Sequence, residues 1–186
     1  VEGCYDDAYQ KALELKEKEG YTFVHPFDDE NVIAGQGTIA LEVLTELDDI
    51  DAIVVPVGGG GLISGIAYTA KKIRPSVKVY GVQVTGAPSM YNSLKNGKIK
   101  SLKSVSTIAD GIAVKKPGDN TYEYVKKYVD EIALVSDDEV SSAILALMEK
   151  QKMIAEGAGA AAVAAVMFNK FDFNGKRVVA IVSGGN

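Results

Sequence analysis

Four consecutive glycines, Gly58 to Gly61, stand between an apolar run that ends at Val57 and another that begins at Leu62. Glycine has no Cβ, so its backbone N–H groups can approach a ligand closely and adopt φ and ψ values that other residues avoid. A helix that starts directly after the glycines aims its free N–H groups and the positive end of its dipole at the same point. The natural occupant is an anion, most often a phosphate. Short strand-to-helix turns use a glycine simply to turn, but four in succession exceed that need. A second glycine-bearing turn, Ser183-Gly184-Gly185, follows the last apolar run.

The surrounding residues narrow the kind of phosphate. A nucleoside triphosphatase loop requires G-x-x-x-x-G-K-[ST], with the lysine on the outer phosphates. Here Leu62 and Ile63 follow the glycines, and the next lysine is Lys71, so that reading fails. A dinucleotide site requires G-x-G-x-x-G and an acid at the end of the next strand for the ribose. Ile63 or Ser64 stands in place of the third glycine, and Gln83 or Thr85 in place of the acid. Dinucleotide binding is the weaker alternative. A cofactor with one phosphate and no ribose fits better, and pyridoxal phosphate is the commonest such cofactor.

These turns need a scaffold, and the hydrophobic patterning supplies one. The patterning predicts helices over 5–19, 36–47, 62–73, 88–94, 120–129, 137–152 and 159–168. Gly20 stops the first, Thr38 is a candidate cap for the second, and Ser136 caps the sixth. Strands are expected over 21–24, 51–57, 77–84, 131–135 and 177–182. Several are continuous β-branched runs, as parallel strands are when both faces are buried. Such β–α–β alternation implies an open, mostly parallel sheet with helices on both sides, whose ligands bind beyond the carboxyl ends of the strands. Both glycine-bearing turns fall at that edge. Residues 96–118 are polar and loop-rich.

Composition sets outer bounds. The chain has 186 residues, 47% hydrophobic and 24% charged, with a formal net charge of -5. That balance argues against nucleic acid, whose phosphates call for basic patches. No run of about 18 apolar residues exists, so no membrane span is expected. The start, "VEGCYDDAY", has neither the basic region nor the apolar core of a signal peptide. It has no initiator Met, and the chain is expected to begin within a longer protein. A single cysteine, Cys4, excludes a disulfide framework and a cysteine-based zinc site. A cytoplasmic location is expected.

Five segments carry a family resemblance: "VIAGQGTIALEVL" (32–44), "VVPVGGGGLISGIA" (54–67), "TIADGIAV" (107–114), "AEGAGA" (155–160) and "VSGGN" (182–186). Together they resemble the pyridoxal 5'-phosphate (PLP) enzymes of the threonine dehydratase and serine racemase family, most closely the catabolic threonine dehydratases. The resemblance implies an α/β fold, the three-layer parallel-sheet fold of the fold-type II, tryptophan synthase β-like, PLP enzymes. It implies deamination of L-threonine, and of L-serine, to a 2-oxo acid and ammonia, with a serine racemase-type activity as the alternative. By position it assigns the cofactor phosphate to the backbone of Gly58, Gly59, Gly60, Gly61 and Leu62. It places Ser183 at the pyridine nitrogen, Gly111 and Ile112 beside the cofactor ring, and Glu156 close to the site. Asn186 matches a position near the nucleotide-effector site of some members, and a homo-oligomer, dimer or tetramer, is implied.

Departures from the family pattern are equally informative. The cofactor-bearing lysine of the family lies in an S-x-K or S-F-K-x-R type motif, and none of this chain's lysines does. The S-x-G-N-H/F-A/G-Q loop is absent as well. Both are expected upstream of Val1, with residues 1–20 the end of a small domain and 21–186 most of a large PLP-phosphate domain. No catalytic residue is therefore assigned within this chain. Serine racemase-type members hold a divalent cation through carboxylates where this chain has Gln83 and Ser89, with Ala87 at the backbone position, so no metal is expected.

Other candidates read as structural. His25, the single histidine, precedes Pro26 near the expected domain junction and is read as a surface or hinge residue rather than a general base. Cys4 lacks the electropositive setting of a reactive thiol. The acids in "LDDIDA" and "SDDEV" read as helix-end and cap residues. Glu156 has two readings from the residues alone, a buried cap for the following helix or a site residue. The tyrosine-rich stretch 120–129 reads as packing or subunit contact.

Overall fold

The computed structural model describes residues 5–185. Cys4 and Asn186 lie outside the described residues. The first helix, α1 (Tyr5–Glu19), ends where Gly20 adopts φ 71°. The strand expected over 21–24 does not form. No neighbouring strand is available there, and Tyr21 and Val24 are 63% and 62% exposed. Strand preference is largely a preference for packing against partners. Here the aromatic side chains find α1 instead, with the Tyr9 ring 5.6 Å from Phe23 and 5.4 Å from His25.

The second helix, α2 (Glu30–Glu46), begins earlier than expected. Asp29 is its N-cap, accepting from the Asn31 and Val32 amides at 2.8 and 3.2 Å. Thr38 lies inside the helix and donates to the Gly35 carbonyl at 2.8 Å. Next come β1 (Ala52–Pro56), α3 (Gly61–Ile73), β2 (Lys78–Val84), α4 (Ser89–Lys95), α5 (Asp119–Tyr128) and β3 (Glu131–Val135). The chain closes with α6 (Asp137–Ala146), α7 (Gly157–Met167) and β4 (Val178–Ala180). Ser136 caps α6 in a reciprocal capping box with Glu139. The expected helix 137–152 changes character at Leu147, where a π turn runs to Gln151 and ends at Lys152 with φ 57°.

Four parallel strands are ordered β3-β2-β1-β4, pairing Val54 with Tyr80 on one side and Ala180 on the other. Alternate residues of β1 face two cores, which explains its unbroken apolar sequence. Val54 joins Val82, Val84 and the alanines of α7. Ile53 and Val55 join Ile63, Ile66 and Ala40 of the α2–α3 layer. The sheet is thus the middle of three layers. Small residues bring α7 close to it, with Ala160, Ala161, Ala162, Ala164 and Ala165 all fully buried.

On the other face, α2 and α3 cross at glycine. A Cβ on Gly65 would lie 2.6 Å from the Gly37 nitrogen, and one on Gly37 would lie 2.5 Å from Thr69 Oγ1. Behind the sheet, Asp130 accepts from Lys71 Nζ at 2.7 Å, Lys78 Nζ at 2.8 Å and the Val79 amide at 2.8 Å. Among the described residues, no helix is long and apolar enough to cross a membrane.

Candidate functional site

β1 is followed by a connection to β2 on one side, while β4 arrives on the other. Ligands bind in open parallel sheets at such a switch point, beyond the carboxyl ends of the strands. A cleft of about 710 Å³ occupies that position. It is lined by all nine residues singled out above: Gly58, Gly59, Gly60, Gly61, Leu62, Gly111, Ile112, Glu156 and Ser183. They come from four separate segments, so the fold and not the sequence spacing brings them together.

The glycine segment leaves β1 and becomes the start of α3. Gly60 is the N-cap, at φ 105° and ψ -2°, with no side-chain cap hydrogen bond. A Cβ at Gly60 would sit 2.8 Å from both Met90 Cε and Thr121 Cβ, so space and φ both demand glycine. The Gly59 carbonyl accepts from Thr121 Oγ1 at 2.6 Å and from the Gly118 amide at 3.2 Å. The Gly60 carbonyl accepts the Ser64 amide at 3.0 Å, and Val57 donates to Val82 at 2.8 Å. Among the described residues, none of the amides from Gly58 to Leu62 donates a hydrogen bond within the protein. Buried backbone donors are rarely left unpaired. Five consecutive free donors at the head of a helix are the arrangement an anion requires. No Lys or Arg lines the cleft among the described residues, so an anion here would be held by backbone dipoles.

Across the cleft, Asp110 to Ile112 form a single 3-10 turn. Asp110 Oδ1 accepts the Gly111 amide at 3.0 Å. Glu156 occupies the N-cap position of α7, but its side chain makes no cap hydrogen bond. Its carboxylate instead stands between two turns, with Oε1 3.5 Å from where a Gly111 Cβ would be and 2.6 Å from the equivalent point on Gly184. The Glu156 amide donates to the Gly184 carbonyl at 3.2 Å and ties the second glycine-bearing turn to the start of α7. Ser183 is exposed on the cleft wall.

Several residues at the cleft carry no signal in the sequence. A Cβ on Gly59 would meet the Phe27 ring at 2.5 Å, so Phe27 lies flush against the glycine segment. His25 does not line the cleft. Its Nδ1 accepts the Phe27 and Asp28 amides at 3.3 and 2.9 Å, and its ring meets the Phe27 ring at 4.6 Å, nearly edge-on. It holds Phe27 in place, a role the surface or hinge reading did not include. Asp28 in turn accepts the Asp119 and Thr121 amides, both at 3.0 Å, and so caps α5 from the far side of the sequence. Gln36 of α2 also lines the cleft. Gln83 is fully buried, with Nε2 donating to the Val57 carbonyl at 3.1 Å and Oε1 accepting the Tyr91 amide at 2.8 Å.

A three-layer parallel sheet with a cleft lined by unpaired amides at its switch point defines the broad class, an α/β protein with a site suited to an anion-bearing small molecule. Comparison with known proteins makes the class specific. Residues 1–184 match the family described as pyridoxal-phosphate dependent enzyme, and the chain belongs to that family. It is 56% identical over 182 residues to the L-threonine ammonia-lyase of Thermotoga maritima, covering 98% of this chain and 45% of that protein. It is 45% identical over 184 residues to L-threonine dehydratase catabolic TdcB of Escherichia coli, covering 98% of this chain and 56% of that protein. The fold superposes with a TM-score of 0.92 on the processed form of threonine deaminase isoform 2 from Solanum lycopersicum. That match is 42% identical and covers 100% of this chain and 52% of the other. The chain thus spans about half the length of the relatives it matches.

Proposed function

We propose that this chain is the phosphate-holding part of a PLP-dependent ammonia-lyase that converts L-threonine, and L-serine as a second substrate, to the 2-oxo acid and ammonia. The observation that carries the reading is the run of unpaired amides from Gly58 to Leu62 at the head of α3. The residues fit the cofactor's phosphate: the amides are free to hold it, and a Cβ at Gly59 or Gly60 would meet the Phe27 ring, or Met90 and Thr121, and push the segment out of place. The cleft volume is also within the usual range for small-molecule sites. The substrate class rests on the similarity to L-threonine ammonia-lyase and L-threonine dehydratase.

Bound PLP supplies the electron sink for loss of the Cα proton and the β-hydroxyl. The chain's own residues do the rest by position. The amides of Gly58 to Leu62 and the α3 dipole would hold the phosphate dianion without a side-chain cation. The Ser183 hydroxyl would meet the ring nitrogen, and Gly111 and Ile112 would flank the ring. Glu156 and Asp110 keep the opposite wall acidic, and Phe27 excludes water from one side of the glycine segment. Residues 1–20 form the end of a small domain and 21–186 most of a large one, with the Gly20 turn as the junction. The enzyme is cytoplasmic, in keeping with its single cysteine.

The test has two parts. The full-length protein is expected to bind PLP at least about tenfold more tightly than pyridoxal, with inorganic phosphate competing. It is expected to release 2-oxobutanoate from threonine, while the isolated 186-residue chain releases none. Equal affinity for pyridoxal and PLP would remove the phosphate cradle, and steady turnover by the isolated chain would remove the division of labour between the domains.

A further inference from the structure

The directions of the cradle amides are set from behind. In a trans peptide the C=O and N–H point in opposite directions, so a protein that anchors a carbonyl also aims the next residue's amide. Three peptide units of the glycine segment are anchored in this way, each on the side away from the cleft. Gln83 Nε2 holds the Val57 carbonyl and thereby turns the Gly58 amide outward. Thr121 Oγ1 and the Gly118 amide hold the Gly59 carbonyl and turn the Gly60 amide outward. The Ser64 amide holds the Gly60 carbonyl, as helix geometry requires, and turns the Gly61 amide outward.

We infer that Thr121 and Gln83 are positioning residues that aim the phosphate-binding amides without touching the ligand. This rests on the cradle reading above. Both side chains are fully buried, and neither lines the cleft. The Thr121 hydroxyl has one proton. Its 2.6 Å partner is the Gly59 carbonyl, while the Gly118 carbonyl lies farther off at 3.3 Å. Its backbone is fixed in turn, because Asp28 holds the Thr121 amide. Gln83 spends both halves of its carboxamide on backbone, one on the entry to the glycine segment and one on the first turn of α4. Met90, carried by that same turn, fills the space under Gly60. Without Gln83 the Val57–Gly58 peptide loses its anchor, and without Thr121 the Gly59–Gly60 peptide keeps only the longer Gly118 bond, so in either case the amide is aimed less firmly, although the apolar packing around it persists.

The test compares two ligands that differ only in the phosphate. Full-length protein carrying Thr121→Val, Thr121→Ser or Gln83→Met is titrated with PLP and with pyridoxal, and the thermal midpoint of each unliganded variant is recorded. Thr121→Val keeps the shape and removes the donor. It is expected to weaken PLP about tenfold relative to pyridoxal, and Thr121→Ser to restore the preference to within about twofold. Gln83→Met is expected to act in the same direction and carries the test if Thr121→Val does not fold. A wild-type preference for PLP that survives unchanged in Thr121→Val and Gln83→Met overturns the inference and leaves the cradle standing. An equal loss of affinity for both ligands, tracking the thermal midpoint, overturns it too, by making the role purely structural. If the wild type itself shows no preference for PLP, the cradle falls and takes the inference with it.

Discussion

A ring pressed against a glycine makes a sharp test at the scale of single residues. Because a Cβ on Gly59 would lie 2.5 Å from the Phe27 ring, Gly59→Ala must displace either the ring or the loop. We expect Gly59→Ala to weaken PLP binding, and the loss to be smaller in a Phe27→Ala background. The coupling in a double-mutant cycle should be about 1 kcal/mol or more. Additive losses would mean that the ring and the loop do not constrain one another. The glycine quartet itself was legible in the sequence, because four adjacent glycines between apolar runs have few other uses. Its supports were not. Thr121 reaches Gly59 across 62 residues of sequence and Gln83 reaches Val57 across 26, and no local pattern announces a side chain that bonds a distant carbonyl. Phe27 was hidden for the same reason, since its meaning lies in what it faces.

At the scale of elements, two helices meet backbone to backbone at the α2–α3 crossing. A Cβ on Gly65 would meet backbone of α2, including the Gly37 nitrogen at 2.6 Å, and backbone cannot rotate aside. Gly65→Ala is expected to cost about 3 kcal/mol in urea denaturation, at the upper end of overpacking penalties. A loss below about 0.5 kcal/mol would contradict so close a crossing. Asp130 gives a pH test. Burial pushes its carboxyl up, but the hydrogen bonds from Lys71, Lys78 and the Val79 amide outweigh burial and hold it below the usual aspartate value. A carboxylate depressed in the folded state stabilises fully above its unfolded value, and that contribution is lost as pH falls through the folded one. The stability gap between wild type and Asp130→Asn should therefore be open at pH 7 and narrow as pH falls below about 5 toward the depressed folded value. A gap that stays constant from pH 7 into the acid range would exclude the ion-pair account. Elements buried on two faces were the easy ones to read, as β1 and β2 illustrate. The stretch 21–24 misled because its aromatic and β-branched residues look strand-like, yet no strand lies beside it. The start of α2 was obscured because Gly35 interrupts the helical pattern, although the helix runs through it from Glu30.

At the scale of the whole molecule, the sheet order puts the two glycine-bearing turns at one edge. The layering gives the cleft a rigid floor. The β–α alternation predicted that layout, since parallel strands leave their carboxyl ends together. The depth of the cleft and the meeting of four segments at it depend on strand order, which alternation alone does not specify. The chain's net charge of -5 and the absence of lysine or arginine among the described cleft-lining residues make backbone amides the whole of the anion attraction offered here. The most direct measurement is a crystal structure of the full-length protein with PLP bound. The phosphate oxygens are expected to lie about 2.7–3.2 Å from at least three of the amide nitrogens of Gly58 to Leu62. A phosphate held elsewhere, with those amides turned onto neighbouring main chain, would contradict the account.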